Sequence, residues 1–256
     1  MIHKSLTLLL LLAVTPAFAD DAIRLTKAED VGMTTERLER IGIGMRRLID
    51  ENKIPGTVTL VARHGKVIHF EANGFQNVEK KIPMAKDTIF RLYSQSKPIT
   101  GAAIMILFEE GHFLLTDPIS NYLPEFKDMK VFKGMKDGEV QTEKAQPITI
   151  QQLLTHTSGL TYDFFPSPVA RMYAEAGATG SAPTSPHPSL EEWVKAIAQQ
   201  PLIALPGTEW NYSVGMDVLG RLVEVVSGQT FGEFLQERIF GPLGMKDTGF
   251  DVPDDR

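Results

Sequence analysis

The segment Tyr93-Ser94-Gln95-Ser96-Lys97-Pro98-Ile99-Thr100 places a serine and a lysine three residues apart. On a helix those two side chains share a face and can touch. A serine hydroxyl is a poor nucleophile until a neighbouring base takes its proton. A lysine can serve as that base if burial and nearby positive dipoles lower its pKa. A position in the first helical turn would also aim free backbone N–H groups and the helix dipole at developing negative charge. Pro98 fits such a first turn, where its missing donor costs nothing. Ordinary helix starts produce the same spacing, with serine as a cap and lysine solvated, so the pattern alone leaves both readings open.

His156, in Leu-Thr-His-Thr-Ser-Gly-Leu, invites a Ser-His-acid triad, but no Gly-x-Ser-x-Gly elbow exists to host its serine. It reads as a structural residue before a turn at Thr157-Ser158-Gly159. Asp117 and Glu125 read as turn and cap residues. The other histidines lack metal-ligand spacing, and with no cysteine there is no thiol nucleophile, disulfide or Cys-ligated metal. No cofactor is expected.

The elements that must position Ser94 follow from periodicity. Leu38, Ile41, Met45, Leu48 and Ile49 predict an amphipathic helix over Thr35 to Asp50. Thr57 to Ala62 and Val67 to Phe70, joined through His64-Gly65, predict an antiparallel hairpin. Ile89 to Tyr93 reads as a short strand or an extended entry to a helix over Ile99 to Glu110, which Gly111 stops. The stretches Lys127 to Pro147 and Gly177 to Pro188 read as long loops. Ser189 with Glu192 and Thr230 with Glu233 read as capping boxes for helices through Gln199 and Ile239. Val218 to Val226 is an apolar helix ending at Gly228. Nothing after Phe90 reads as a second group of strands, and two or three strands need further cover to be stable.

With 256 residues and 43% hydrophobic content the chain can bury a sizeable core. A net charge of −6 without any basic run argues against nucleic acid or anionic lipid as the partner. Residues 1–19 read as a signal peptide. Lys4 is the positive start, Leu6 to Val14 the apolar stretch, and Ala17-Phe18-Ala19 the cleavage signal before Asp20. That stretch is too short for stable membrane insertion. The mature domain, residues 20–256, is expected in the periplasm or outside the cell.

Several ordered segments resemble one superfamily. They are Phe90 to Thr100; Glu109-Glu110-Gly111 through Leu115-Thr116-Asp117-Pro118; and Tyr122 to Phe126. After them come Ile148 through Leu160, Pro206-Gly207-Thr208 through Tyr212-Ser213-Val214, and Pro242 to Thr248. Ser-x-x-Lys is the nucleophile motif of β-lactamases and penicillin-binding proteins. The chain is similar to class C β-lactamase-type serine hydrolases, and most of all to the esterases of that fold called family VIII. The resemblance implies an α+β, β-lactamase/transpeptidase-like fold, with an antiparallel sheet flanked by helices plus a mostly helical region. It implies Ser94 as nucleophile, Lys97 as base and Tyr212 as a partner base.

The second motif, Tyr-x-Asn, maps here onto Tyr212-Ser213-Val214. Valine offers no hydrogen bond where the pattern has asparagine, which favours esters with apolar acyl groups over a lactam or peptide. The third motif, Lys-Thr-Gly or a His/Trp-x-Gly variant, does not follow Phe250; Lys246 to Gly249 resembles it only superficially. The last strands of the sheet, with an oxyanion-hole N–H, are therefore expected to be missing. The implied function is hydrolysis of a small-molecule ester through an acyl-enzyme, with weak lactam hydrolysis. The alternatives are a β-lactamase, a D-alanyl-D-alanine carboxypeptidase, or a non-catalytic fragment that only binds such ligands. The oligomeric state stays open.

Overall fold

The computed structural model describes residues 23–178 and 186–252. The export signal read over residues 1–19 and the middle of the Gly177 to Pro188 loop lie outside them. The chain divides into two units, Met1–Thr88 and Ile89–Arg256.

In the first unit, α1 (Thr35–Asp50) precedes β1 (Gly56–Arg63), β2 (Lys66–Asn77) and the two-residue β3 (Ile82–Pro83), antiparallel in the order β1-β2-β3. The β1–β2 turn is the expected His64-Gly65, with φ of 51° and 71°. Two left-handed residues give a hairpin turn whose twist matches that of the strands. Leu38 of α1 is buried with Ala28, Val31 and Ile68 in a small core.

The second unit begins with an irregular stretch where a strand was one expectation; a 3-10 turn, Tyr93–Ser96, then leads straight into α2 (Lys97–Glu109). The Lys127 to Pro147 region is not a loop. It holds an antiparallel hairpin, β4 (Lys130–Lys136) and β5 (Glu139–Lys144). Every residue of β5 is exposed, so the hairpin lacks the apolar alternation by which a half-buried strand is recognised. Its turn, Asp137-Gly138 with φ of 53° and 84°, is the legible signal that polar composition masked.

Among the described residues five helices follow: α3 (Ile150–Leu154), α4 (Pro168–Glu175), α5 (Leu190–Ala198), α6 (Gly215–Ser227) and α7 (Phe231–Leu235), which runs into a π-helical turn, Gln236–Phe240. Thr230 and Glu233 make both bonds of a capping box. At α5 only half of the expected box forms. Ser189 accepts the Glu192 N–H at 3.2 Å, while the Glu192 carboxylate turns to Lys195 instead. A complete box at Thr149 and Gln152 starts α3.

The core of this unit forms where α2 packs on α6. Ala103, Ile104 and Leu107 are buried in one cluster with Val218, Leu219 and Leu222. Each such aliphatic side chain contributes about 1.5–3 kcal/mol relative to exposure. The same packing fixes the starts of both helices, and the candidate site lies at those two ends.

Candidate active site

Ser94 sits in the 3-10 turn that becomes α2, so Lys97 follows it by one turn, and Lys97 Nζ donates to Ser94 Oγ at 3.2 Å. Tyr93, immediately before the serine, has φ of 47°. A non-glycine residue held there costs about 1–3 kcal/mol, a strain that clusters at functional sites. Ser94 itself is exposed.

Tyr212 reaches the same serine from the segment that enters α6. That segment is fastened to the turn after α3: Gly207 N–H donates to the Thr157 carbonyl at 2.7 Å, Asn211 N–H to the His156 carbonyl at 2.8 Å, and Val214 N–H to the Thr161 carbonyl at 3.4 Å. Gly159 lets the turn pass close to its neighbour. Its φ is 81°, and a Cβ there would lie 2.1 Å from the Ala204 carbonyl oxygen. The outcome is a Tyr212 hydroxyl that donates to Ser94 Oγ at 2.5 Å. The structure thus brings together all three residues singled out in the sequence.

The groups around Lys97 pull its pKa in opposite directions. Half-burial works to lower the Lys97 pKa, but the Tyr162 and Tyr212 phenols beside it outweigh that and hold the ammonium above its ordinary value. The two phenols thus favour the charged form of Lys97. Its Nζ lies 4.6 Å from the Tyr212 ring centroid and 5.4 Å from that of Tyr162. Burial opposes ionisation of Tyr212, yet Lys97 and Ser94 prevail and bring the phenol below its usual range. At Tyr162 burial wins over the same lysine, and that phenol is pushed up. The two tyrosines are thus pushed in opposite directions, Tyr212 toward the ionised form and Tyr162 toward the neutral one.

Tyr162 and Asp217 were missed in the sequence. Tyr162 carries no spacing signal, lying two residues past the Leu160 that ends the recognised segment. Asp217, in the first turn of α6, reads there as a favourable charge at a helix start. Asp217 is exposed as a residue, yet the protein packed around its carboxyl pushes the pKa up to about 6 against the pull of Lys97.

His156 is buried, and its partners are in the Tyr212 segment rather than at Ser94. Asp117 is the turn residue expected, accepting from Leu114 N–H at 2.9 Å and the Tyr122 hydroxyl at 3.1 Å. Glu125 lies in the short 3-10 helix Pro124–Phe126. Val214 is not a cleft residue in this unit. It occupies the N-cap position of α6 with its side chain wholly buried in the core, so an apolar preference cannot come from a solvent-facing valine. The apolar surface beside the site is aromatic instead. Trp210 stacks on Tyr212 at 6.1 Å, Tyr162 lies 5.1 Å from Tyr212, and Phe164 stacks on Tyr162 at 4.9 Å. Trp210 and Phe164 are 66% and 63% exposed, so large rings face solvent at both ends of the row.

Among the described residues no group of three His, Cys, Asp or Glu could hold a metal ion, and no helix is long and apolar enough to cross a membrane. What the arrangement can do is hold the Tyr212 oxygen, as a phenolate beside an ammonium, where it can take a proton from the serine.

The family model described as Beta-lactamase matches residues 44–256. Esterase EstB of Burkholderia gladioli is 36% identical over 201 residues, covering 78% of this chain and 48% of that protein. Lovastatin esterase of Penicillium rubens is 35% identical over 207 residues, covering 79% of this chain and 50% of that protein. Among solved structures, EstCE1, a hydrolase with promiscuous acyltransferase activity, superposes with a TM-score of 0.75 at 35% identity, covering 86% of this chain and 55% of that one. The chain spans about half the length of the curated relatives it matches. The α+β fold expected from sequence is the β-lactamase/transpeptidase-like fold.

Proposed function

The chain belongs to the Beta-lactamase family, and from that premise we propose that it hydrolyses carboxylic esters through an acyl-enzyme on Ser94. The observation that carries this reading is the single serine oxygen held by two groups, Tyr212 at 2.5 Å and Lys97 at 3.2 Å. Tyr212, as phenolate, takes the Ser94 proton, and Oγ attacks the ester carbonyl carbon. The tetrahedral intermediate collapses by breaking the bond to the alcohol oxygen, which leaves with the proton from Tyr212. Water then attacks the acyl-serine, giving its proton to Tyr212; the acid departs and the proton returns to Ser94. Lys97 keeps its proton throughout and stabilises the phenolate. General-base help of this kind contributes about 10²–10⁴ in rate.

Esters rather than lactams are supported by the esterase relatives and by the exposed rings of Trp210 and Phe164, which offer an apolar ester group a surface beside Ser94. The test is hydrolysis of p-nitrophenyl butyrate together with fluorophosphonate labelling, both abolished in Ser94→Ala. Hydrolysis of a chromogenic cephalosporin with none of the butyrate ester would favour the lactamase alternative. A folded, monodisperse protein that neither labels nor hydrolyses would leave only the ligand-binding reading.

The likeness to EstCE1 supports a second fate for the acyl group, transfer to an added alcohol in place of water. Product analysis with a primary alcohol in the assay would detect the new ester. Export also belongs to the proposal: secretion from a bacterial host should yield a mature chain that starts at Asp20.

A further inference from the structure

The two residues that flank Tyr212 both hand their backbone N–H to one side chain and main chain, those of His156. Asn211 N–H donates to the His156 carbonyl at 2.8 Å, and Ser213 N–H to His156 Nδ1 at 3.3 Å. The Ser213 hydroxyl lies 3.3 Å from the same nitrogen and accepts Gly215 N–H at 3.3 Å, so its own hydrogen is free to point at Nδ1. The imidazole centroid is 4.9 Å from the Tyr212 ring and 6.0 Å from Trp210. His156 is itself held in the left-handed region at φ of 56°, a conformation that costs free energy and that the surrounding contacts must impose.

We propose that His156 is a positioning residue for Tyr212, clamping the peptide bonds on either side of that phenol so that its hydroxyl meets both Ser94 and Lys97. An acceptor at Nδ1 leaves the ring hydrogen on Nε2. Burial, and then the nearby Lys97 charge, lower the His156 pKa and keep the ring in that neutral form. The partners of Ser94 Oγ are Lys97 and Tyr212, so His156 acts through the tyrosine and takes no proton from the serine. Lys97, Tyr162, Tyr212 and Asp217 are the titratable groups of this neighbourhood. Moving the Tyr212 ring by even an ångström would separate it from the ammonium that lowers its pKa, and displacements of that size cost about a hundredfold in rate.

The inference rests on the reading of Tyr212 as the base, so its test includes a measurement that needs no turnover. Two variants divide the functions of the imidazole. His156→Phe keeps a ring against Tyr212 but offers no acceptor. His156→Asn gives up the ring, keeps an acceptor and tolerates the left-handed backbone. The Tyr212 titration is followed by phenolate absorbance, isolated by subtracting the Tyr212→Phe protein. It should move upward toward the free-phenol value in His156→Phe and stay close to wild type in His156→Asn. With p-nitrophenyl butyrate, kcat should fall at least about tenfold in His156→Phe with KM little changed, a partial loss of general-base help. His156→Asn should recover most of it. An unmoved Tyr212 titration in His156→Phe, or equal losses in both variants, would overturn the proposal and leave His156 a core residue. If His156→Phe does not melt cooperatively, the titration in His156→Asn decides, and an upward move there counts against the proposal. A wild-type chain without esterase activity would sink the acyl-enzyme reading, while the titration would still decide the role of His156.

Discussion

Tyr212 and Ser94 are 118 residues apart in the chain, yet the phenol hydroxyl of one donates to the hydroxyl oxygen of the other at 2.5 Å. Lys97 donates to the same oxygen, and the phenols beside it raise its pKa. Under the proposed reaction the serine is activated by the Tyr212 phenolate with a cation beside it, rather than by a neutral amine.

The pH profile follows from those two shifts. Tyr212 is held below 10 and Lys97 above 10.5. kcat/KM for p-nitrophenyl butyrate should rise with pH as Tyr212 loses its proton, level off, and fall once Lys97 loses its own. Tyr212→Phe should lose about 10²–10⁴ in kcat and the rising limb with it. A rising limb that survives in Tyr212→Phe would assign the base elsewhere.

Asp217 should tune both the profile and the stability. Its negative charge raises the Tyr212 pKa, so Asp217→Asn should move the rising limb to lower pH. In the fold its carboxyl is pushed up to about 6 from an ordinary 3.8. The native state thus binds more protons than the unfolded chain between those values, and stability drops as pH rises through about 6. Asp217→Asn removes that loss. Its melting temperature should exceed that of wild type at pH 7 and converge with it below about pH 4. Parallel melting curves across the whole range would contradict this account.

Gly159→Ala should damage the turn that carries the base. A methyl group would meet the Ala204 carbonyl oxygen at 2.1 Å on a backbone already at φ of 81°. The backbone strain alone costs about 1–3 kcal/mol. At about 2–4 °C per kcal/mol for a chain of this size, the melting temperature should fall by several degrees. Gly101→Ala in α2, where an added Cβ meets nothing within 4 Å, is the control. Similar melting temperatures for the two variants would show that the turn relaxes freely.

Trp210→Ala and Phe164→Ala test the aromatic surface. Each should raise KM more for a long-chain p-nitrophenyl ester than for the acetate, since about 0.8 kcal/mol is lost for every CH₂ no longer buried. A uniform change along the acyl series would remove these rings from the substrate site.

Local pattern carried much of this structure. α1 runs over the residues its apolar stripe marks, and the His64-Gly65 turn and the Thr230–Glu233 box form as their residue types dictate. The β4–β5 hairpin escaped because all of β5 is exposed, leaving only Asp137-Gly138 to announce it. Ser94 and Lys97 were legible because one helical turn joins them, and Tyr212 because ordered motifs flank it. Tyr162 and Asp217 matter through what surrounds them, and no spacing in the chain encodes that. The direction of the Lys97 shift was hidden for the same reason, since it depends on two phenols from distant segments.

That distance has a consequence for the protein while it is being made. At translation rates of about 5–20 residues per second, Ser94 is synthesised on the order of ten seconds before Tyr212, the base proposed for it. Through that interval the growing chain carries a serine with a cation at its side and no group able to take its proton. Chemical competence arrives in a single late step, when the segment bearing Tyr212 docks beside α2. An ester met during synthesis would find ordinary serine.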